Sequence, residues 1–459
     1  MELASLTLAE LAADLRAKKI SSLELCEAAI ERHEGQDKKL NAYRDWAPER
    51  ARAQARAADQ AFAAGRDLGP LQGLPQSIKD IYGVPGYETF AGTPKALPEA
   101  WRRAGPLVEK LLGQSGVVMG KSHTVEFALG TLGLNDHWGT PYNPWDPDHH
   151  RAPGGSSSGA GVSLTEGSAL IAWGSDTAGS IRCPASMTGC VGYKASNGRW
   201  PTGGIVPLSR SLDVPGPLVR SAADLAYVWA AVEEVDPAGL AAPSISDIRI
   251  GIADDFFWDD CSPGVSETIM TALDKLIGAG ASTIAAAIPS AADACAFAQI
   301  GGLAAYEFAR FISDNLPEWE NHVSPWVAQR ISAGRELTDE AYAERQAMVA
   351  KWQAEAPAFF DDCDVIVSPT TPLTPPRLDE VATPETFRAG TLLKMRNTCV
   401  GNVLDFAVVT FPVGRDAAGM PVGLQLMAKA GDDRHLIDVA LGFEQVLGSP
   451  RSRLGDPPL

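Results

Sequence analysis

Pro153-Gly-Gly-Ser-Ser-Ser-Gly-Ala-Gly161 and Gly174-Ser-Asp-Thr-Ala-Gly-Ser-Ile-Arg182 flank an apolar run, Leu164 to Trp173. The stretch from Gly154 to Ser180 holds seven glycines and seven serines, which by composition alone suggests a flexible linker. Two features argue otherwise. Pro153 bounds the stretch, and its middle is too apolar for a linker. Glycines let a backbone pass close to other atoms, and N–H groups at loops and helix starts can hold an anion. A phosphate loop would need GxxxxGK[ST], which is absent. The nucleophile-elbow pattern GxSxG is met by Gly155 to Gly159 with Ser157 at its centre. An elbow needs a strand leading in, and Pro147 to Pro153 does not read as one.

Outward from this stretch, the chain alternates strand and helix patterns. Gly116-Val-Val-Met-Gly120, Ile248-Arg-Ile-Gly-Ile252 and Asp364-Val-Ile-Val-Ser368 read as strands. Helical spacing runs near 265–278, 328–356 and 434–447. The opening segment, 1–60, reads as helical, and Thr7 to Glu10 and Ser21 to Glu24 each match a capping box. Such alternation predicts an α/β layer fold. No linker divides the chain, so 1–459 is read as one domain. It comprises a helical segment 1–65, a core at about 70–225, a divergent region at about 230–360 and a closing core segment at about 361–459. The divergent region carries Trp258, Trp319, Trp326 and Trp352, whose rings could line an apolar entrance or pack as core.

Composition narrows the function. The chain is 45% hydrophobic and 21% charged, ordinary for a globular protein and not for a disordered one. A net charge of −18 repels phosphate backbones and anionic lipid, which disfavours nucleic acid and membranes as partners. The seven cysteines are scattered and never spaced CxxC, indicating neither a disulfide framework nor a zinc site. The first residues, MELASLTLAELAADLRAKK, carry Glu2, Glu10 and Asp14 through their apolar positions and do not read as a signal peptide, and the most apolar stretch, 281–305, is broken by Pro289 and Asp293. A cytoplasmic location is expected.

The two loops together resemble those of the amidase signature family. That family carries an upstream lysine, a Gly-Gly-Ser-Ser-Gly-Gly run and then Gly-Ser/Thr-Asp-Thr-Gly-Gly-Ser-Ile-Arg. Here Pro75-Gln-Ser-Ile-Lys79-Asp80 supplies the lysine, and Ser156 and Ser180 supply the serines at the family's separation. Asn143-Pro-Trp-Asp146, Gly192-Tyr-Lys194, Ser211-Leu-Asp213, Ser368-Pro-Thr-Thr371 and Met420 to Leu426 extend the likeness over nearly the whole chain, apart from about 230–360. Three positions depart from the pattern. Ala178 stands where the family has the first glycine of its Gly-Gly pair, and Asp405 and Ala407 stand for a late glycine and proline.

The resemblance implies an amidase signature fold, a large mixed β-sheet covered by helices on both faces. It also implies hydrolysis of a C–N amide bond in a small molecule by a Ser–Ser–Lys relay, with an acyl-enzyme intermediate and neither cofactor nor metal. By that analogy Ser180 attacks, Ser156 passes the proton and Lys79 receives it. Lys79 must then be neutral, which requires burial, because desolvation disfavours the charged form. Backbone N–H groups of Thr177, Ala178, Gly179 and Ser180 would form the oxyanion hole, and the Gly155–Ser156 peptide would be cis. Substrate contacts are expected from Phe127, Ala128 and Leu129, from Ser157 and from Arg182, although Asp176 and Arg182 could instead brace the nucleophile loop. A carboxylated ureide, as in the allophanate or carboxybiuret branch, would need a cation from Arg182, Arg199 or Arg210. A subunit of a glutamyl-tRNA amidotransferase is a second reading, so a homodimer or a small partner subunit stays open. His123, His137 and Cys183 are not expected to react.

Overall fold

Lys79 and Asp176 end two neighbouring strands of one mixed sheet. The computed structural model describes residues 6–35 and 40–459, so the parts of the expected first helical segment at 1–5 and 36–39 lie outside the described residues. The strands are β1 (Tyr43–Trp46), β2 (Pro75–Lys79), β3 (Val117–Ser122), β4 (Ile171–Asp176), β5 (Val191–Lys194), β6 (Val214–Val219), β7 (Arg249–Ala253), β8 (Ser282–Ala286), β9 (Val365–Pro369), β10 (Ala407–Arg415) and β11 (Pro421–Ala428). They pair in the order β1-β3-β2-β4-β6-β5-β10-β11-β9-β7-β8. β2 runs parallel to β3 and β4, and β7 parallel to β8 and β9, while each pairing from β4 through β6, β5, β10 and β11 to β9 is antiparallel.

The inner strands lack an in–out alternation because both faces are covered. Every residue of β2 to β6, β9 and β11 is buried. Successive side chains still go to opposite faces. Val365 and Val367 join one core and Ile366 another, just as Val409 and Val408, or Leu426 and Met427, separate. The three strands and the helices at 265–278 and 434–447 that were read from periodicity lie where expected, within a residue or two.

Two expectations are corrected. The long helix near 328–356 is two helices, Pro325–Arg335 and Asp339–Glu355. Thr338 ends the break by accepting a hydrogen bond from Ala341 N at 3.2 Å, which starts a new N-terminus. The helical reading of segment 1–60 misses β1. A strand this short cannot display a period, and only the pairing with β3 marks it. Both capping boxes form, with Thr7 N donating to Glu10 Oε2 at 2.7 Å and Ser21 N to Glu24 Oε2 at 2.7 Å. Among the described residues, no helix is long and apolar enough to cross a membrane.

Candidate active site

The register places the lysine beside the serine loops. β2 and β4 pair in parallel as Gln76 with Ile171 and Ile78 with Trp173, so the next step brings Lys79 to the level of Gly174 and Ser175. Beyond the carboxyl ends of these strands lie the Gly155–Ser156 turn, whose peptide is cis, and the loop 177–181. Carboxyl ends of parallel strands open onto crevices that helices leave uncovered. The Ser158–Glu166 helix and β4 form the apolar segment between the two loops, and no strand leads into Ser157.

Lys79 is fully buried and, among the described residues, has no acidic partner within hydrogen-bond reach. Its Nζ lies 2.7 Å from Ser156 Oγ and 2.9 Å from Ser175 Oγ. Burial pushes its pKa down to about 7, with Asp213 and Asp176 pulling the other way from a distance. Ser157 N donates to Ser180 O at 3.2 Å, which ties the two serine loops together. Ser180 opens onto a cavity of about 110 Å³ that Thr177 and Ala178 also line.

The loop that carries Ser180 is held from beneath by an ionic cluster. Arg182 Nε and Nη2 donate to Asp176 Oδ2 and Oδ1 at 3.0 and 2.9 Å, and Nη2 also donates to Asn402 Oδ1 at 2.5 Å. Asp176 accepts further from Gly179 N at 2.7 Å and Ile181 N at 3.1 Å. Burial opposes its ionisation, but the Arg182 charge and these hydrogen bonds hold its carboxyl well below the usual range. Thr398 Oγ1 donates to Ala178 O at 2.8 Å and Thr177 Oγ1 to Asp213 Oδ1 at 2.5 Å. Gly179 adopts φ 122°, where an added Cβ would meet Thr398 Oγ1 at 2.2 Å, so the loop needs glycine there. Ala178 is not among the residues with positive φ, so its Cβ is tolerated at the family's glycine position. Asp405, at the late glycine position, takes φ 59°, a conformation that Asp accepts more readily than most residues.

Several expected contacts are placed differently. Gly179 N is engaged by Asp176, so it is no free donor, whereas the N–H groups of Thr177, Ala178 and Ser180 carry no hydrogen bond among the described residues. Arg182 is fully enclosed by Asp176, Asn402 and Gln425 and does not line the cavity, because its charge is already met inside the loop. Ser157 is also fully buried, its Oγ 3.4 Å from Ser175 O, and it too lies off the cavity. Ala128 and Leu129 line the cavity. Phe127 stands one layer behind, its ring 5.5 Å from that of Phe308, which does line it. Arg199 is paired with Glu233 and Asp433, and neither it nor Arg210 reaches the cavity. His123 is buried against Asn41, and burial lowers its pKa to about 4, while His137 faces Glu126. Cys183 is a packed thiol that burial pushes up.

The sequence missed Ser175, the second hydroxyl on Lys79, and Asp213, whose pKa burial raises to about 6. It also left open which divergent residues line the cavity. These include Phe297, Gln299, Phe308, Trp326 and Arg330. Among the described residues, no group of His, Cys, Asp and Glu could hold a metal.

Comparison with known proteins bears on this arrangement. The amidase family profile matches residues 24–437. The chain is 46% identical, over the full length of both chains, to the 2-amino-5-chloromuconic acid deaminase of Comamonas testosteroni. It is 31% identical to a glutamyl-tRNA(Gln) amidotransferase subunit of Geobacter sp. (strain M21), covering 97% of this chain and 98% of that one. A crystal structure of an amidase superposes with a TM-score of 0.86 at 30% identity, covering 96% of this chain and 100% of its own.

Proposed function

The chain belongs to the amidase signature family and is a hydrolase of C–N bonds, and from that premise we propose that it works through Lys79, Ser156 and Ser180 on a small molecule. The observation that carries this reading is the buried Lys79, its pKa near 7, 2.7 Å from Ser156 Oγ on the loop whose Ser157 N donates to Ser180 O. A serine hydroxyl is a weak nucleophile until a base removes its proton. Neutral Lys79 is that base. Ser180 Oγ attacks the carbon of the C–N bond, Ser156 takes its proton and Ser156 gives its own to Lys79. The negative charge that develops on the attacked group meets the free N–H groups of Thr177, Ala178 and Ser180, and one such donor is worth about 3–4 kcal/mol. The proton then returns through Ser156 to the departing nitrogen, and water resolves the acyl enzyme by the same relay. Asp176 and Arg182 position the donors and do not touch substrate.

Intact-mass analysis after exposure to a small fluorophosphonate tests the reading. One adduct on the wild type, lost in Ser180→Ala and slowed in Lys79→Ala, supports it. An adduct that persists in Ser180→Ala overturns the choice of nucleophile.

A second reading of the substrate is favoured by the 46% identity over the full chain to an aminomuconic acid deaminase. On it, the C–N bond hydrolysed is that of an amino-substituted unsaturated dicarboxylic acid, and ammonia is the nitrogen product. Ammonia release by the isolated chain from a 2-aminomuconate tests this. Release that depends on added partner subunits would instead support the amidotransferase reading.

A further inference from the structure

Apart from the reacting groups, the cavity holds one charged side chain, and nothing neutralises it. Arg330, on the Pro325–Arg335 helix, lines the cavity together with Ser180. Its guanidinium carbon lies 4.5 Å from the centroid of the Trp326 ring. That indole is itself held, because Nε1 donates to Leu129 O at 3.2 Å and the Phe387 ring meets it edge-on at 5.4 Å. Among the described residues, Arg330 has no ion pair and no hydrogen bond, and no Asp or Glu lines the cavity. Neighbouring arginines of the divergent region are paired, Arg310 with Asp339 and Arg335 with Glu320. The charge nearest in kind is another cation. Arg388 lines an adjoining groove of about 720 Å³ that shares Leu129 and Trp326 with the cavity. Burial and Arg388 together press the guanidinium of Arg330 below its ordinary range.

A partly buried cation with no counter-charge is costly unless something pairs it. A planar guanidinium with all its N–H groups unused matches a carboxylate bidentately, and the ring beneath it fixes its plane. We propose that Arg330 is the specificity residue of this site, and that the substrate class is C–N compounds that also carry a carboxylate. The carboxylate sits on Arg330, and the carbon skeleton lies against Phe297 and Phe308. This rests on reading Ser180 as the nucleophile of the same cavity. Arg330 contacts substrate but neither gives nor takes a proton. A neutral amide of the same shape leaves its charge unmet and binds less well.

Protection of Ser180 separates the two readings. The full chain, as wild type, Arg330→Gln and Arg330→Lys, is labelled by a neutral fluorophosphonate in the presence of cis,cis-muconate or its dimethyl ester. Muconate should protect the wild type, and Arg330→Gln should raise the protecting concentration roughly 10- to 100-fold. Arg330→Lys, which keeps the charge but loses the fork, should fall between them. The dimethyl ester should show a much smaller dependence on residue 330. Equal protection of wild type and Arg330→Gln by muconate, with matching circular dichroism spectra, overturns the proposal, as does no protection of the wild type. Failure to label Ser180 in the wild type overturns the nucleophile instead. In that case, calorimetric titration of muconate into wild type and Arg330→Gln decides Arg330 by itself.

Discussion

Arg182 and Arg330 belong to two regions of the same protein and lead opposite lives. Arg182 lies in the core and is fully enclosed, its donors taken up by Asp176, Asn402 and Gln425. Arg330 lies in the divergent region and, among the described residues, has an aromatic face but no ion pair or hydrogen bond. The charge of Arg182 is met within the chain, so it shapes the loop that carries Ser180. The charge of Arg330 is not met, so it can respond to what enters. On the proposed reading, the core builds the reaction and the divergent region chooses what is presented to it.

The sharpest way to break this division is at the reacting groups. Ser180→Ala and Lys79→Ala should each lower kcat by about 10³-fold or more while the chain stays folded. Ser156→Ala should follow closely and Ser157→Ala should do far less harm, since Ser156 Oγ is the hydroxyl 2.7 Å from Lys79 Nζ while Ser157 Oγ faces Ser175 O. Steady-state hydrolysis by the purified variants reads this, and a Lys79→Ala enzyme within tenfold of wild type would sink the relay.

The two arginines themselves supply the next test. Arg182→Met leaves Asp176 buried without its cation and should cost about 3–5 kcal/mol of stability in denaturant unfolding. Arg330→Met should change stability by less than about 1 kcal/mol, because no hydrogen bond or ion pair is lost. Comparable losses in the two variants would erase the contrast. Gly179→Ala should retain the fold but lose most turnover, since a Cβ at φ 122° displaces the loop from Thr398; full activity would show that the loop tolerates another path.

The smallest effects concern pH. Protonated Lys79 cannot accept a proton, so kcat/KM should rise with pH through about 7 and then level off. Asp213 raises the pKa of Lys79, so Asp213→Asn should shift that midpoint downward by a fraction of a unit. An upward shift in a full pH–rate profile would mean that another group controls the limb.

The order of Lys79, Ser156 and Ser180, the glycine-rich loops around them and most helices and strands were legible because each leaves a local mark. Capping partners sit three residues apart, apolar faces repeat at periods of two or 3.6, and signature residues fall at set spacings. The short edge strand β1 left none, and the broken helix at 336–338 reads as continuous along one face.

The linear order of residues therefore determined the family, the sheet-and-helix alternation and the three groups that could react. Tertiary structure decided which of those groups are free to act. Gly179 N is engaged because Asp176 folds back onto it, and Ser175 reaches Lys79 because β4 lies in register beside β2. Asp176 meets the charge of Arg182 from within the same loop, and Asn402 and Gln425, 220 and 243 residues away along the chain, accept from its other N–H groups and complete its enclosure. Arg330 lines the cavity without any such partner. Whether a charged side chain is fully enclosed or left facing a cavity depends on side chains that arrive from distant segments, and no spacing along the chain records their arrival.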